Sequence, residues 1–517
     1  MTNATDTTEI LIIGSGIGGL SAAALLAHYG HRVIVCESHS LPGGAAHSFQ
    51  RNGYTFDSGP SLISGLGAAS SNPLRHVLDA IGETVPCHTY NTWGCCLPEG
   101  DFNTTVGADQ FCDVLDRLRG ADAVRQWREL QVAMKPLAAA ATAMPPAAVR
   151  LDPGVVLTAG RYAANFLPHL FDTAKLTGAF APIADEVVFD RFVRDWLDLL
   201  CFLLSGLPAS GTSAAEMAFM FDEWYKPGVV LEYPVGGVGA IVNALVRGLE
   251  KNGGELRLDA HVEEILLEGD RAVGVRLRGG EEIRVSKAVV SNASIWDTLR
   301  LFSEKSDSPK VVELRRDRGE LPQCESFMHL HLGIDATGLE DLQCHYIFVD
   351  DWERGVAAEQ NVVLISIPSV LDSSLAPPGK HAIHVYTPGN EPLRMWDGLD
   401  RRSEAYAKRK HERSQIMWKA LARVIPDIRE RVELELVGTP VTHGRFLRRD
   451  RGTYGPALEA GKQWFPAQNT PIPGLWCCGD STFPGIGLPA VAASGTIVAN
   501  SLTGVGQHLA MLDAIGV

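Results

Sequence analysis

Gly14-Ser15-Gly16-Ile17-Gly18-Gly19 follows an apolar run, Ile10 to Ile13, and opens an alanine-rich stretch; a second apolar run, Val33 to Val35, stops at Glu37. This spacing predicts strand, glycine turn, helix and a second strand ending in an acid, the unit that holds a dinucleotide. Glycines 14, 16 and 19 permit a tight turn, close approach of backbone to a pyrophosphate, and close helix-to-strand packing, while Glu37 stands where a carboxylate accepts hydrogen bonds from a ribose. In a chain with 52 glycines the succession of elements, more than the glycines, carries the assignment. The loop residues 14 to 19 and Glu37 are therefore expected at the cofactor.

Other chemistry is limited by what the sequence lacks. There is no metal-ligand spacing among the ten cysteines, no second nucleotide motif and no GxSxG. Cys95-Cys96 and Cys477-Cys478 are adjacent pairs poorly placed for mutual disulfides, and all ten read as small core residues of a reducing compartment. Gly236, Gly237 and Gly239 have the wrong spacing for a second site, and no apolar strand is expected directly before them. His329 and His331 share one face of a predicted strand; with His381, His384 and His443 they read as histidines satisfied by local hydrogen bonds, metal ligation or proton donation being the other readings. Trp93, Trp224, Trp296 and Trp352 read as core anchors.

A third group of residues completes the picture. Ser38 follows Glu37, and Gly43-Gly44 comes after a short spacer; at the other end, Leu475 to Cys478 runs as a short buried strand into Gly479-Asp480, then a glycine turn and a small-residue helix. The acid, spacer and Gly-Gly resemble flavoproteins of the amine oxidase and phytoene desaturase superfamily, which implies FAD as the dinucleotide. Ser291 to Thr298, His329 to Gly333, Gly438-Thr439-Pro440 with Thr442-His443, Gly452 to Pro456 and Gly479 to Gly485 resemble the carotenoid cis-trans isomerase (prolycopene isomerase) branch, over nearly the whole chain. The resemblance implies FAD contacts at Ser38, Gly43, Gly44, Gly479, Gly487, Leu488, Pro489 and Val491, with Asp480 on the ribitol and Val262 offering backbone to adenine. It also sets a helix N-terminus at the flavin pyrimidine edge, where its positive end favours an anionic reduced flavin. Ile486, Leu488-Pro489, Ala45 to Ser48 and Pro60 depart from the isomerase pattern, so the substrate and reaction stay open.

The elements that must position these residues follow. The fold class expected is α/β, a Rossmann-type FAD-binding domain with an inserted α+β substrate domain, amine oxidase/phytoene desaturase-like. Residues 1–65, 231–300 and 440–517 are expected to form the FAD-binding domain, 66–230 a mostly helical substrate- or membrane-facing region, and 301–439 the substrate domain. Strands are expected at Phe327 to Gly333, Val362 to Ile367 and Ala382 to Tyr386, with a charged helix from Ser403 to Ile425. At 517 residues, 45% hydrophobic and 21% charged, the chain can bury a large core. Its net charge of −15 argues against nucleic acid as a partner; Arg448-Arg449-Asp450-Arg451, the densest basic cluster, reads equally as a solvated loop or as part of a site. Met1 to Thr8 shows no signal or transit peptide pattern, and Leu199 to Pro208 is too short to span a bilayer, reading as a buried helix or an interfacial dip. Val155 to Leu176 mixes apolar side chains with Arg161, His169 and Lys175, a pattern that suits either a membrane surface or core packing.

The resemblance implies an apolar polyene substrate, a carotenoid, and a peripheral position on the cytoplasmic face of a membrane or in a plastid; the oligomeric state is open. The flavin would carry the chemistry, with no catalytic side chain assigned. Equivalents lent to a polyene and returned give cis-trans isomerisation, the favoured outcome. Equivalents kept give saturation, oxidised flavin gives desaturation, and addition of water gives hydration. A flavin-bearing carotenoid carrier without turnover is the non-enzymatic alternative.

Overall fold

Two seven-stranded sheets organise the molecule, and the first brings the ends of the chain together. The computed structural model describes residues 6–67, 70–107, 109–303 and 308–517; Met1 to Thr5, part of the N-terminal reading above, lie outside the described residues. In the first sheet the order is Val262–Glu268, Arg271–Leu277, Glu282–Ser291, Asp6–Ile13, Val33–Cys36 and Glu255–Arg257, with Leu475–Cys477 also pairing to Glu282–Ser291. The strands Asp6–Ile13 and Leu475–Cys477 run parallel on either side of Glu282–Ser291, so the first and last motifs meet at the carboxyl end of one strand. The helix Ile17–His28 is buried on every side, as its Leu- and Ala-rich sequence requires. It crosses the helix Leu488–Ser501 closely enough that a Cβ on Gly495 would lie 2.2 Å from the Gly18 carbonyl.

In the second sheet the order is Val432–Gly438, His329–Asp335, Lys380–Tyr386, Val362–Ser366, His345–Val349, Thr92–Leu97 and Gly100–Thr105. Strand alternation sorts its faces. Leu330, Leu332, Ile334, Ile383 and Val385 pack beneath the helix Glu404–Val424, which the Ser403 side chain caps. His329, His331, His384 and Tyr386 fall on the opposite face, toward the hairpin Ser48–Arg51 and Tyr54–Asp57. There Gly333 leaves room for the Tyr54 ring, which a Cβ would meet at 2.4 Å.

The structure differs from expectation in three places. The stretch 66–230 is helical from Gln110 onward but first supplies three strands, Cys87–Tyr90, Thr92–Leu97 and Gly100–Thr105, two of which extend the second sheet. These strands are four to six residues long and rich in Thr and Cys, which hides them from an apolar-periodicity reading. The short strands His345–Val349 and Val432–Gly438 were likewise not anticipated. A strand, Leu231–Pro234, does precede Gly236, but it pairs with Cys87–Tyr90 outside the first sheet, so those glycines open the packing helix Gly239–Lys251 away from any second nucleotide fold.

Leu199 to Ser205 belongs to the buried helix Arg191–Ser205, capped by the Asp190 side chain and closed by left-handed Gly206. Its aromatic neighbours include Trp93, stacked on Trp196 at 5.5 Å. The ten cysteines are free. Among the described residues no helix is long and apolar enough to cross a membrane.

Candidate functional site

A cavity of about 750 Å3 opens at the carboxyl ends of Asp6–Ile13 and Val33–Cys36, where a parallel sheet of this kind places its ligand. Of the residues nominated from sequence, Gly14, Gly16, Glu37, Ser38, Gly44 and Val262 line it. Glu37 ends its strand by donating its N–H to the Arg257 carbonyl at 2.8 Å, which aims the side chain back along the glycine loop. Its Oε2 accepts from the Ser15 N–H at 2.8 Å and the Ser15 hydroxyl at 2.6 Å, and its Oε1 accepts from the His39 N–H at 2.8 Å. The carboxylate therefore organises the loop as well as bordering the cavity.

Other nominated residues lie behind the wall. Ser15 faces Glu37 and accepts at its carbonyl from the Gly43 N–H at 3.0 Å. Ile17, Gly18 and Gly19 are buried in helix packing. Gly43 adopts φ 113° with its Cα against Val242, where a Cβ would lie 2.6 Å from a methyl. Gly479 stands behind Gly18. Asp480 forms an ion pair with Arg449, Oδ2 to Nη1, at 2.6 Å, so its carboxylate meets a guanidinium in place of the open hydroxyl-binding position expected of it. Leu488, Pro489 and Val491 form the first turn of the helix Leu488–Ser501, with exposed Gly487 at its N-cap and φ 101°. A Cβ on Gly487 would meet nothing within 4 Å, so a side chain there is opposed by backbone strain and not by crowding.

Three features of the site were not assigned from the sequence. Asn292, directly after the strand Glu282–Ser291, fills the space that glycines leave: a Cβ on Gly16, Gly18 or Gly479 would come within 2.8 Å of its side-chain amide. Its signal was a polar residue ending an apolar strand, as Glu37 does. The basic cluster 448–451, for which a solvated loop was one of two open readings, lines the cavity, with Arg448 and Arg451 in left-handed conformations. Arg449 donates from Nε to the Thr453 carbonyl at 2.8 Å, while its buried Nη2 has no partner. Finally, Asp297, Arg300 and Asp450 make an ion-paired rim, with Arg300 bound to both carboxylates and the Asp450 N–H donating to Asp297 at 2.8 Å. Burial draws the Asp297 carboxyl upward from its usual range.

The residues present fit a flavin dinucleotide. The helix Ile17–His28 starts at the cavity with no side-chain cap and no acid in its first turn, so its leading N–H groups are available to a pyrophosphate. Arg449 adds a buried unpaired donor at the wall. The helix Leu488–Ser501 offers a second uncapped N-terminus.

Beside this site lies a stack of imidazoles. His331 and His384 rings stack at 4.2 Å, and His329 Nδ1 bonds His384 Nε2 at 3.0 Å. Local hydrogen bonds satisfy His331, on the Asp57 carbonyl at 3.1 Å, and His443, on the Gly452 carbonyl at 2.9 Å. They leave His329 Nε2 and His384 Nδ1 without partners, against expectation. Burial keeps all four neutral, His331 and His443 being drawn down to about 4. Among the described residues no group of three or more side chains is arranged to hold a metal.

A two-sheet fold with a cavity at the carboxyl ends of its parallel strands, in a chain matched by a flavin-enzyme family, defines a flavoenzyme with FAD as cofactor. The chain belongs to the flavin-containing amine oxidoreductase family, whose model matches residues 17–503. It is 31% identical to the chloroplastic prolycopene isomerase of Daucus carota, over 98% of this chain and 82% of that one, and 32% identical to that of Arabidopsis thaliana, over 95% and 82%. It is 26% identical to the neurosporene-forming phytoene desaturase of Rhodobacter capsulatus, over 95% of this chain and 93% of that one. These similarities place it in the isomerase-like branch of the phytoene desaturase-type enzymes. In fold it resembles a putrescine oxidase (TM-score 0.63, 15% identity, 96% and 99% of the chains) and an oxidoreductase from Methanosarcina mazei (TM-score 0.62, 19% identity, 94% and 98%).

Proposed function

We propose that this enzyme isomerises cis double bonds of a carotenoid, using reduced FAD without net redox change. The observation that carries this reading is the similarity to prolycopene isomerases over 95% or more of the chain, joined to a site that offers flavin contacts and one dinucleotide cavity. Bound FAD supplies equivalents that a polyene can accept and return. The chain's part is to hold it: Gly14, Gly16 and the N-terminus of Ile17–His28 take the pyrophosphate, with Arg449 beside it. Glu37 and Ser38 take the adenosine ribose, Val262 the adenine, and Gly43 and Gly44 the approach to the ribitol. Asp480 serves the ribitol from within its pair with Arg449. The first turn at Gly487, Leu488, Pro489 and Val491 directs its positive end to the ring, where it stabilises negative charge. Anaerobic incubation of the reduced enzyme with prolycopene, followed by chromatography and mass measurement, tests the reaction. Altered geometry at unchanged mass supports isomerisation; a change of two hydrogens selects desaturation or saturation, and a gain of water selects hydration.

We further infer that the protein docks on a membrane surface through residues 155–171. Val156, Leu157, Leu167, Leu170 and Phe171 are all at least half exposed, Phe171 at 91%, on short helices; His169 lies on one of them, and Arg161, paired with Asp513, lies in the turn between two. An apolar face with basic flanks suits the boundary of an anionic bilayer, from which a polyene would be drawn. The protein is expected to float with anionic liposomes, and a Leu167→Asp, Phe171→Asp double variant to remain in solution with its flavin content unchanged. Equal flotation of both proteins would remove this surface from consideration.

A further inference from the structure

Two rings meet at the wall of the cofactor cavity, one carried by each sheet. His39 follows the strand Val33–Cys36 of the first sheet, and Phe446 stands in the last turn of the helix Pro440–Leu447, which leaves the edge strand Val432–Gly438 of the second. Both line the cavity, and their rings meet edge to face with centroids 5.7 Å apart. Among the described residues Phe446 packs into none of the apolar cores and is 45% exposed, so its place is not explained by the core.

Both rings are held in position by their surroundings. The His39 N–H donates to Glu37 Oε1 at 2.8 Å, its carbonyl accepts from the Asp259 N–H at 3.2 Å, and its ring Nδ1 accepts from the Leu41 N–H at 2.9 Å. On the helix of Phe446, Thr439 caps the start and Arg448 ends it at φ 55°, a left-handed conformation that a side chain adopts only where the surroundings impose it. Arg448 lines the cavity, as does His261; burial, then the charges of Arg278 and Arg448, draw the His261 imidazole below its ordinary range. Three segments, 37–41, 259–263 and 444–451, thus converge on the end of the cavity that Glu37, Ser38 and Val262 border.

We propose that Phe446 and His39 form a clasp on the adenosine half of FAD, holding it against Glu37, Ser38 and Val262 and setting how slowly the cofactor leaves. This rests on the adenosine placement given above. Adenine is a flat base whose π faces and edges pack well on aromatic rings. Rings closed over the ribose also keep water from its hydrogen bonds to Glu37, which strengthens them. Because one ring comes from each sheet, the adenosine can leave this end only when the two rings part. FAD retention is in this way coupled to the position of the second sheet.

The rate of FAD release from the holoenzyme, read from the rise in flavin fluorescence on dilution, tests the clasp. The proteins compared are wild type, His39→Ala, Phe446→Ala, the double variant, Phe446→Trp and Glu37→Ala. Each single alanine in the clasp is expected to release FAD about 10-fold faster. The double variant should fall short of the product of the two, since either change opens the same contact. Phe446→Trp keeps a ring and should stay within about threefold of wild type. ADP, which carries the adenosine half without the flavin, should bind deflavinated Phe446→Ala more weakly by the same factor, while the thermal midpoint of that deflavinated protein stays at the wild-type value. Release from Phe446→Ala within about twofold of wild type, with Glu37→Ala releasing faster, would overturn the clasp and leave the adenosine placement standing. Unchanged release from both would overturn the placement itself, and a fully multiplicative double variant would overturn the pairing of the rings.

Discussion

Glu37→Ala is expected to weaken FAD binding by about 1 to 3 kcal/mol, about 5- to 150-fold in Kd. The side chain accepts from Ser15 N–H, Ser15 hydroxyl and His39 N–H, and it is 8% exposed. Alanine would remove the ribose acceptor and also leave two backbone donors of the cofactor loop unpaired. Glu37→Gln keeps one oxygen to accept these bonds and should fall between alanine and wild type. Titration of the deflavinated protein by FAD fluorescence measures both. An alanine variant with wild-type affinity would show that the strand end at Glu37 does not meet the cofactor.

A larger effect is expected at Gly19. A Cβ there would lie 2.3 Å from the Gly14 carbonyl and 3.0 Å from the Asn292 Cβ, and neither atom belongs to a flexible side-chain tip. Gly19→Ala must therefore push the helix Ile17–His28 off the sheet, at a cost of about 3 kcal/mol or more, a large part of the whole stability of a folded domain. Gly160→Ala is the matched control: the glycine ends the helix Val155–Gly160 and a Cβ would meet nothing within 4 Å, so stability should rise by about 0.5 kcal/mol. Urea unfolding of the two variants checks the pair. Unchanged stability in Gly19→Ala would mean that the glycine loop is not packed as described.

What was legible in the sequence was legible because local chemistry coincided with global need. The glycine loop and Glu37 are readable because strand, turn and helix each impose their own residue types within 28 positions. The helix Glu404–Val424 was visible from its charged pattern. The cofactor cavity as a whole was only half legible. Asn292, Arg449 and the rim of Asp297, Arg300 and Asp450 come from segments distant in sequence, and nothing local says that they converge. The basic cluster 448–451 was conspicuous, yet a run of arginines looks the same whether water or a cavity faces it. The strands Cys87–Tyr90 to Gly100–Thr105 were missed because they are short and rich in Thr and Cys, so no apolar period marks them. The histidine face shows the converse: His329 and His331 were rightly set on one side of a strand, but the orphaned nitrogens depend on His384, which lies 53 residues beyond His331 and meets it only in the sheet.

One FAD, held between the two ends of the chain, is expected to work on a polyene without being consumed. Counting product per flavin tests it most directly: enzyme reduced once under anaerobic conditions, freed of excess reductant and mixed with excess prolycopene. Many molecules of altered geometry and unchanged mass per flavin, with the flavin still reduced at the end, are the predicted result. One product molecule per flavin, with the flavin oxidised and the product two hydrogens heavier, would contradict it.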